Sequence, residues 1–183
     1  PAFHASPNEV DQARDLLQKA SPSGRFQPLI LLNPNCSDLL PLRRWPIERY
    51  TELAQRLINR YPEVHLAMTG RPDEGPAVAK HVEQVGSDRC LNLAGRTTLR
   101  QLLVIYGLAE VLVTNDSGPA HFAALTPIDV VTLFGPENPR LFAARTVRNH
   151  VFWAGIACSP CVSALNGRTS PCKDNVCMQR IHA

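Results

Sequence analysis

The densest set of groups able to hold a ligand in this chain of 183 residues is Asn115-Asp116-Ser117-Gly118-Pro119-Ala120-His121. It follows an apolar run at 111–114 and opens a short helical pattern at 118–125. A helix that begins at Ser117-Gly118 leaves backbone N–H groups without carbonyl partners. Those groups and the positive end of the helix dipole favour a phosphate. Glycine at 118 lets an anionic ligand approach the backbone closely. Asp116 would be repelled by a phosphate, so its chemistry is to accept backbone N–H bonds or a sugar hydroxyl. His121, about one turn into the helix, is placed to donate to a phosphate oxygen. The plainer reading of the same residues is a helix cap, with His121 packed at its side.

A second group lies in the last quarter of the chain, where Cys158 and Cys161 are followed by Cys172 and Cys177. Ser159, Asn166, Gly167 and Ser170 make the intervening loop pliable enough for four thiolates to converge. A Cys-x-x-Cys knuckle is half of a tetrahedral zinc site. Two disulfides are the second reading and call for an oxidising compartment. Free thiols are the third. Zinc would fasten the tail to the body of the domain, so the cluster is assigned to stability and not to chemistry.

These residues need a scaffold, and the periodicity supplies one. Apolar runs at 28–33, 64–69, 90–93, 111–114 and 130–134 are short enough to be strands buried on both faces. Helical patterns lie between them. Ser6, Pro7 and Glu9 form a capping box ahead of Val10, Ala13, Leu16 and Leu17. An amphipathic run at 47–61 ends at Pro62, and further helices are expected at 76–86, after Thr97 or Thr98, at 118–125 and from Pro139. Strand alternating with helix is the mark of a parallel sheet wound by right-handed crossovers. Five strands in a chain too short for a (β/α)8 barrel predict an α/β fold with a doubly wound, Rossmann-like sheet. Ligands bind such sheets beyond the carboxyl ends of the strands. The residues that follow the strands are Asn33, Asn35, Ser37, Arg43 and Arg44; then Gly70, Asp73 and Glu74; then the 115–121 segment; then Gly135 to Asn138.

Composition excludes several classes. Hydrophobic residues make up 44% and charged residues 19% of the chain, enough for a core and against disorder. A net charge of +3 suits a small anionic ligand and not a nucleic acid, which calls for a dense basic stripe. No apolar run reaches the ~20 residues of a membrane span, and no secretory leader is visible. A chain whose first residue is Pro1 is expected to be a piece of something longer. There is no Gly-x-Gly-x-x-Gly after the first strand, no phosphate-loop lysine motif and no Asp-x-Asp pair.

Several segments taken together resemble glycosyltransferase family 9, the ADP-heptose:lipopolysaccharide heptosyltransferases and their relatives. They are Asn115 to Ala124 with Leu133-Phe134-Gly135-Pro136, Arg43-Arg44-Trp45-Pro46, Thr69 to Glu74, and Leu93 to Leu99. The resemblance implies the C-terminal half of a GT-B architecture. Residues 1–183 would be its nucleotide-sugar-binding domain, with 151–183 a Cys-rich appendage. The acceptor-binding N-terminal domain, which holds the catalytic base in that family, has no counterpart in this chain. By the same resemblance, Arg43 or Arg44 meets the donor diphosphate and Glu74 accepts from ribose hydroxyls. Asp116, Ser117, Gly118 and His121 then surround the diphosphate and sugar. The activity implied is inverting, metal-independent transfer of a sugar, heptose from ADP-heptose, to a glycolipid acceptor. It would take place in the cytoplasm, at the periphery of the inner membrane. The usual lysine of the basic-Trp-Pro element is Arg43 here, which keeps the charge and changes its geometry. Competing readings are a non-catalytic nucleotide or nucleotide-sugar binding module and a sugar-nucleotide epimerase.

Overall fold

The computed structural model describes residues 2–183. Its centre is one sheet of six strands: β1 (Leu29–Asn33), β2 (His65–Met68), β3 (Cys90–Asn92), β4 (Val111–Asn115), β5 (Asp129–Phe134) and β6 (Asn149–Trp153). Their order is β3-β2-β1-β4-β5-β6, and every pairing is parallel. The chain winds outward from β1 to β3, then crosses back to place β4 on the other side of β1. That reversal makes the β1/β4 boundary the topological switch point. Leu32 lies opposite Val113 there, and Asn33 opposite Thr114.

Successive strand residues face opposite sides of the sheet, and the chain has apolar residues for both. Leu29, Leu31, Leu112 and Val130 pack into one core with α1 (Pro7–Ala20), α4 (Leu99–Tyr106) and α5 (Gly118–Ala123). Leu32, Leu66, Met68, Val113 and Leu133 pack into the other, against α2 (Ile47–Arg60) and α3 (Gly75–Val85). The expected capping box at Ser6 forms, and α4 starts with another. Glu9 N–H donates to Ser6 Oγ while Glu9 Oε2 accepts from Ser6 N–H at 2.9 Å. Thr98 and Gln101 do the same for α4. No helix among the described residues is long and apolar enough to cross a membrane.

The sheet has six strands where the sequence predicts five. The additional one, β6, has four of its five residues exposed, Phe152 and Trp153 among them. A strand with no buried face leaves no alternation to read. It also runs across residue 151, so the sheet ends at Trp153 and the Cys-rich segment begins after it.

That segment is built into the domain. Cys177 and Met178 of α7 (Val176–Gln179), with Ile181, are buried in the second core. Trp45 Nε1 donates to Ile181 O at 2.9 Å, and Asn175 Nδ2 donates to Arg44 O at 2.8 Å. Met178 lies so close to the end of β5 that a Cβ on Gly135 would sit 2.5 Å from its sulfur. Gly135→Ala is therefore expected to lower stability by about 1–3 kcal/mol through overpacking. Thermal unfolding of the variant checks this; a melting temperature equal to that of the parent chain contradicts the packing described.

Candidate functional site

Above the carboxyl ends of β1 and β4 lies a crevice of about 390 Å3, of the size that takes a small ligand. Its lining comes from four places: Asn33 to Ser37 after β1, Gly70 to Glu74 after β2, Thr97 to Leu102 at the start of α4, and Ser117 to Phe122 at the start of α5. Leu99, Leu102 and Phe122 make one apolar wall. At its floor, Asn33 donates through Nδ2 to Thr69 Oγ1 at 3.0 Å, which leaves its buried Oδ1 without a partner.

The floor is held by a residue whose side chain lies outside the crevice. Asn115, fully buried at the end of β4, accepts through Oδ1 from Trp45 N–H (2.9 Å) and Tyr50 Oη–H (3.2 Å). It donates through Nδ2 to Pro34 O (2.9 Å) and Asn35 O (3.4 Å). Sequence reasoning placed Asn115 in the binding segment without giving it this task. Gly70 lets the two turns approach closely: a Cβ there would lie 2.7 Å from Asn35 Nδ2 and 3.0 Å from Glu74 Oε2, and would shift both side chains.

The residues singled out in the sequence divide into three groups. Glu74, Ser117 and Gly118 line the crevice together. One Glu74 oxygen, Oε2, accepts from Arg71 N–H at 2.7 Å, which fixes the carboxylate and leaves Oε1 facing only Arg71 Nη2 at 3.4 Å. The backbone N–H groups of Ser117 and Gly118 have no acceptor among the described residues. Ser117 Oγ is turned inward, donating to Asn115 O at 3.2 Å. Arg44 and His121 stand apart: Arg44 is engaged by Asp38 and Cys36 O of its own loop, and His121 is exposed on α5, outside the crevice lining.

Arg43 and Asp116 form the third group, with Glu137 and Arg168. Asp116 and Glu137 are almost wholly buried, 3% and 2% exposed. Arg43 Nη1 lies 3.7 Å from Glu137 Oε2, and Arg168 Nε lies 3.8 Å from Glu137 Oε1. Both are ion pairs beyond hydrogen-bond distance. Asp116 Oδ2, Glu137 Oε1 and Arg43 Nε have no hydrogen-bond partner. Burial, then hydrogen bonding with Glu137 and repulsion by its charge, push the Asp116 carboxyl up to about 7, with Arg43 and Arg168 opposing. The Cys36 thiol is also pushed up, by burial, with Arg44 and Arg43 opposing.

The four tail cysteines are free thiols, as are Cys36 and Cys90. Among the described residues, no three His, Cys, Asp or Glu side chains are gathered to hold a metal ion. The zinc reading of Cys158, Cys161, Cys172 and Cys177 thus has no support here, although the other three thiols lie near enough to Cys177 to oppose its ionisation after burial. Cys158 is exposed while Cys177 is buried beside Gly135, and the thiols take nearer partners. Cys161 accepts from Ser170 Oγ at 3.3 Å, and Cys172 donates to Asp174 Oδ1 at 3.4 Å. Apolar burial and the bonds to Trp45 and Arg44 hold the tail in place.

The sequence model of glycosyltransferase family 9 (heptosyltransferase) matches residues 3–169. The chain belongs to this family. Lipopolysaccharide heptosyltransferase 2 of Salmonella typhimurium is 36% identical over 114 residues, 62% of this chain and 32% of that protein. The solved E. coli ADP-heptose lps heptosyltransferase II superposes with a TM-score of 0.70 at 29% identity, over 84% of this chain and 45% of that one. A family 9 glycosyl transferase from Veillonella parvula shares the fold, with a TM-score of 0.71 at 24% identity. The chain thus spans about a third of the curated relative and under half of the solved one. Its parallel sheet matches a Rossmann-like domain of the GT-B type.

The raised Asp116 carboxyl has a consequence for stability. The unfolded chain releases this proton near its ordinary value of 3.8, whereas the folded family 9 domain keeps it to about 7. Stability is thus lost as pH rises between the two values, and the loss is complete above the upper one. Asp116→Asn is expected to be more stable than the parent by about 2–4 kcal/mol at pH ~8 and to show no such gain at pH ~3.5. Urea unfolding at the two pH values measures it; an equal difference at both contradicts the burial argument.

Proposed function

We propose that this chain is the donor-binding half of an inverting, metal-independent heptosyltransferase, which moves heptose from ADP-heptose to a lipopolysaccharide-type acceptor. The observation that carries the reading is the crevice at the switch point, where the Glu74 carboxylate and the unpaired amides of Ser117 and Gly118 meet. Support comes from the family and from relatives whose names state heptosyltransferase 2 and ADP-heptose lps heptosyltransferase. The nucleoside lies against Leu99, Leu102 and Phe122, and its ribose hydroxyls donate to Glu74 Oε1. The diphosphate accepts from the amides of Ser117 and Gly118 and from Arg43. The sugar then extends toward Asp116. An acceptor-binding N-terminal domain outside this chain supplies the base and brings a glycolipid, which sets the reaction at the cytoplasmic face of the inner membrane.

Each group has a physical task in that reaction. As the glycosidic bond breaks, negative charge grows on the departing nucleoside diphosphate. A fixed guanidinium and oriented amides stabilise that charge more in the transition state than in the ground state. Arg43 supplies the positive charge that a divalent ion supplies in other glycosyl transfers.

Calorimetry of the chain against ADP, UDP and GDP is expected to show preferential binding of ADP, unchanged by EDTA. Glu74→Ala and Arg43→Ala should each weaken ADP binding by about 1.5–3 kcal/mol, the worth of a hydrogen bond to a charged group. Gly118→Val should abolish it by filling the approach to the backbone. Unchanged affinity in all three variants, with folding intact by circular dichroism, contradicts the reading.

A further inference from the structure

The Cys-rich tail contributes a charge to the buried acids beside the crevice, and the residue that receives it has no task in the account given so far. Glu137 follows β5 with its side chain 3% exposed, and its nearest cations are Arg43 and Arg168. Arg168 is held for this position. It stands in the left-handed region at φ 56°, next to Gly167, and its guanidinium stacks over the Phe142 ring at 5.3 Å. Two buried carboxyls, Asp116 and Glu137, therefore lie with two guanidiniums next to the Ser117 edge of the crevice, outside its lining. Neither ion pair of Glu137 is short enough to be a hydrogen bond, and one oxygen of each acid lacks a partner. Buried polar atoms left so are costly unless something else completes them.

We propose that Glu137 is a sugar-recognition residue of this site, which with Asp116 accepts adjacent hydroxyls of the donor's sugar while Arg43 and the tail's Arg168 hold it in place. The chemistry of the pair selects the ligand class. Carboxylates accept and repel phosphate, so the diphosphate stops at Arg43 and the amides. An apolar group would leave two acids and a guanidinium nitrogen unsatisfied. A polyhydroxylated sugar presents neighbouring O–H donors at the spacing of one pyranose ring, which fits two carboxyls side by side. Sites built to bond hydroxyls reject analogues that lack them strongly, because their own polar atoms are then stranded.

The pair also ties recognition to a proton. The charged groups that face Asp116 are Glu137 after β5, Arg43 ahead of α2 and Arg168 of the tail. Without ligand, a proton retained on Asp116 can donate to Glu137. Sugar hydroxyls replace that proton as donors, so binding the sugar releases it, whereas binding ADP alone does not.

This inference rests on the donor-site reading, and the experiment separates the two. Titrations of the parent chain and of Glu137→Gln are run with ADP and with ADP-heptose near pH 7, in buffers of different ionisation enthalpy. The variant is expected to bind ADP at least as well as the parent, since Arg43 is freed, and to bind ADP-heptose roughly 10-fold or more weakly. The proton released by ADP-heptose in the parent should shrink in the variant. If Glu137→Gln does not fold, Arg168→Gln on the exposed tail decides, with a selective loss of about threefold or more for ADP-heptose expected from a weakened charge contact. Equal losses for both ligands, or none, overturn the proposal and leave the donor site standing. A parent chain that binds neither ligand overturns both.

Discussion

The binding edge of this domain depends on one buried amide. Asn115 is the last residue of β4, and its four hydrogen bonds reach Pro34 and Asn35 on one side and Trp45 and Tyr50 on the other. These bonds fix the loop after β1 to the end of the neighbouring strand across the switch point. Only an amide can do it, because two bonds need an acceptor and two need a donor. Aspartate would strand the carbonyls of Pro34 and Asn35, and an apolar residue would strand all four groups. Everything the site uses hangs from this arrangement. Arg43 precedes Trp45 by two residues, Asp116 and Ser117 follow Asn115 directly, and Asn35 meets the Gly70 turn that carries Glu74.

The same frame ties the tail to the loop that carries Arg43. Trp45 is bonded at both ends, through its backbone to Asn115 and through its indole to Ile181. The basic-Trp-Pro element thus links the crevice to the last turn of the chain. With α7 seated under Gly135, the loop before it carries Arg168 back over Phe142 to Glu137. This segment also completes the electrostatics of the buried acids. Cys161, Cys172 and Cys177 are buried or half-buried there with local hydrogen-bond partners, and Cys158 is exposed.

Much of the fold was legible because continuous apolar runs and caps speak locally. The five expected strands, the capping box at Ser6 and the helix start at Thr98 appear close to where the residues put them. β6 was not legible, since an exposed edge strand has no burial pattern to betray it. The site divides by the same rule. Glu74, Ser117 and Gly118 sit in strand-following segments and meet in one crevice. Glu137 follows β5 and was within reach of that logic, but nothing local distinguishes a buried glutamate from an exposed turn. Arg44 and His121 illustrate the converse: suitable side chains in suitable segments, turned elsewhere by neighbours the sequence does not name. Arg168 lies 31 residues after Glu137, in a loop with no periodicity, and only the packing of Met178 and Ile181 brings it back.

The central claim is that a nucleotide sugar lies across the β1/β4 switch point with its nucleoside in the crevice and its sugar at the buried acids. A crystal structure of this chain with intact ADP-heptose tests it most directly. The account predicts the ribose on Glu74, the diphosphate on the amides of Ser117 and Gly118 with Arg43, and sugar hydroxyls on Asp116 and Glu137. A diphosphate bound away from Ser117 and Gly118, or a sugar pointing away from Asp116, would contradict it.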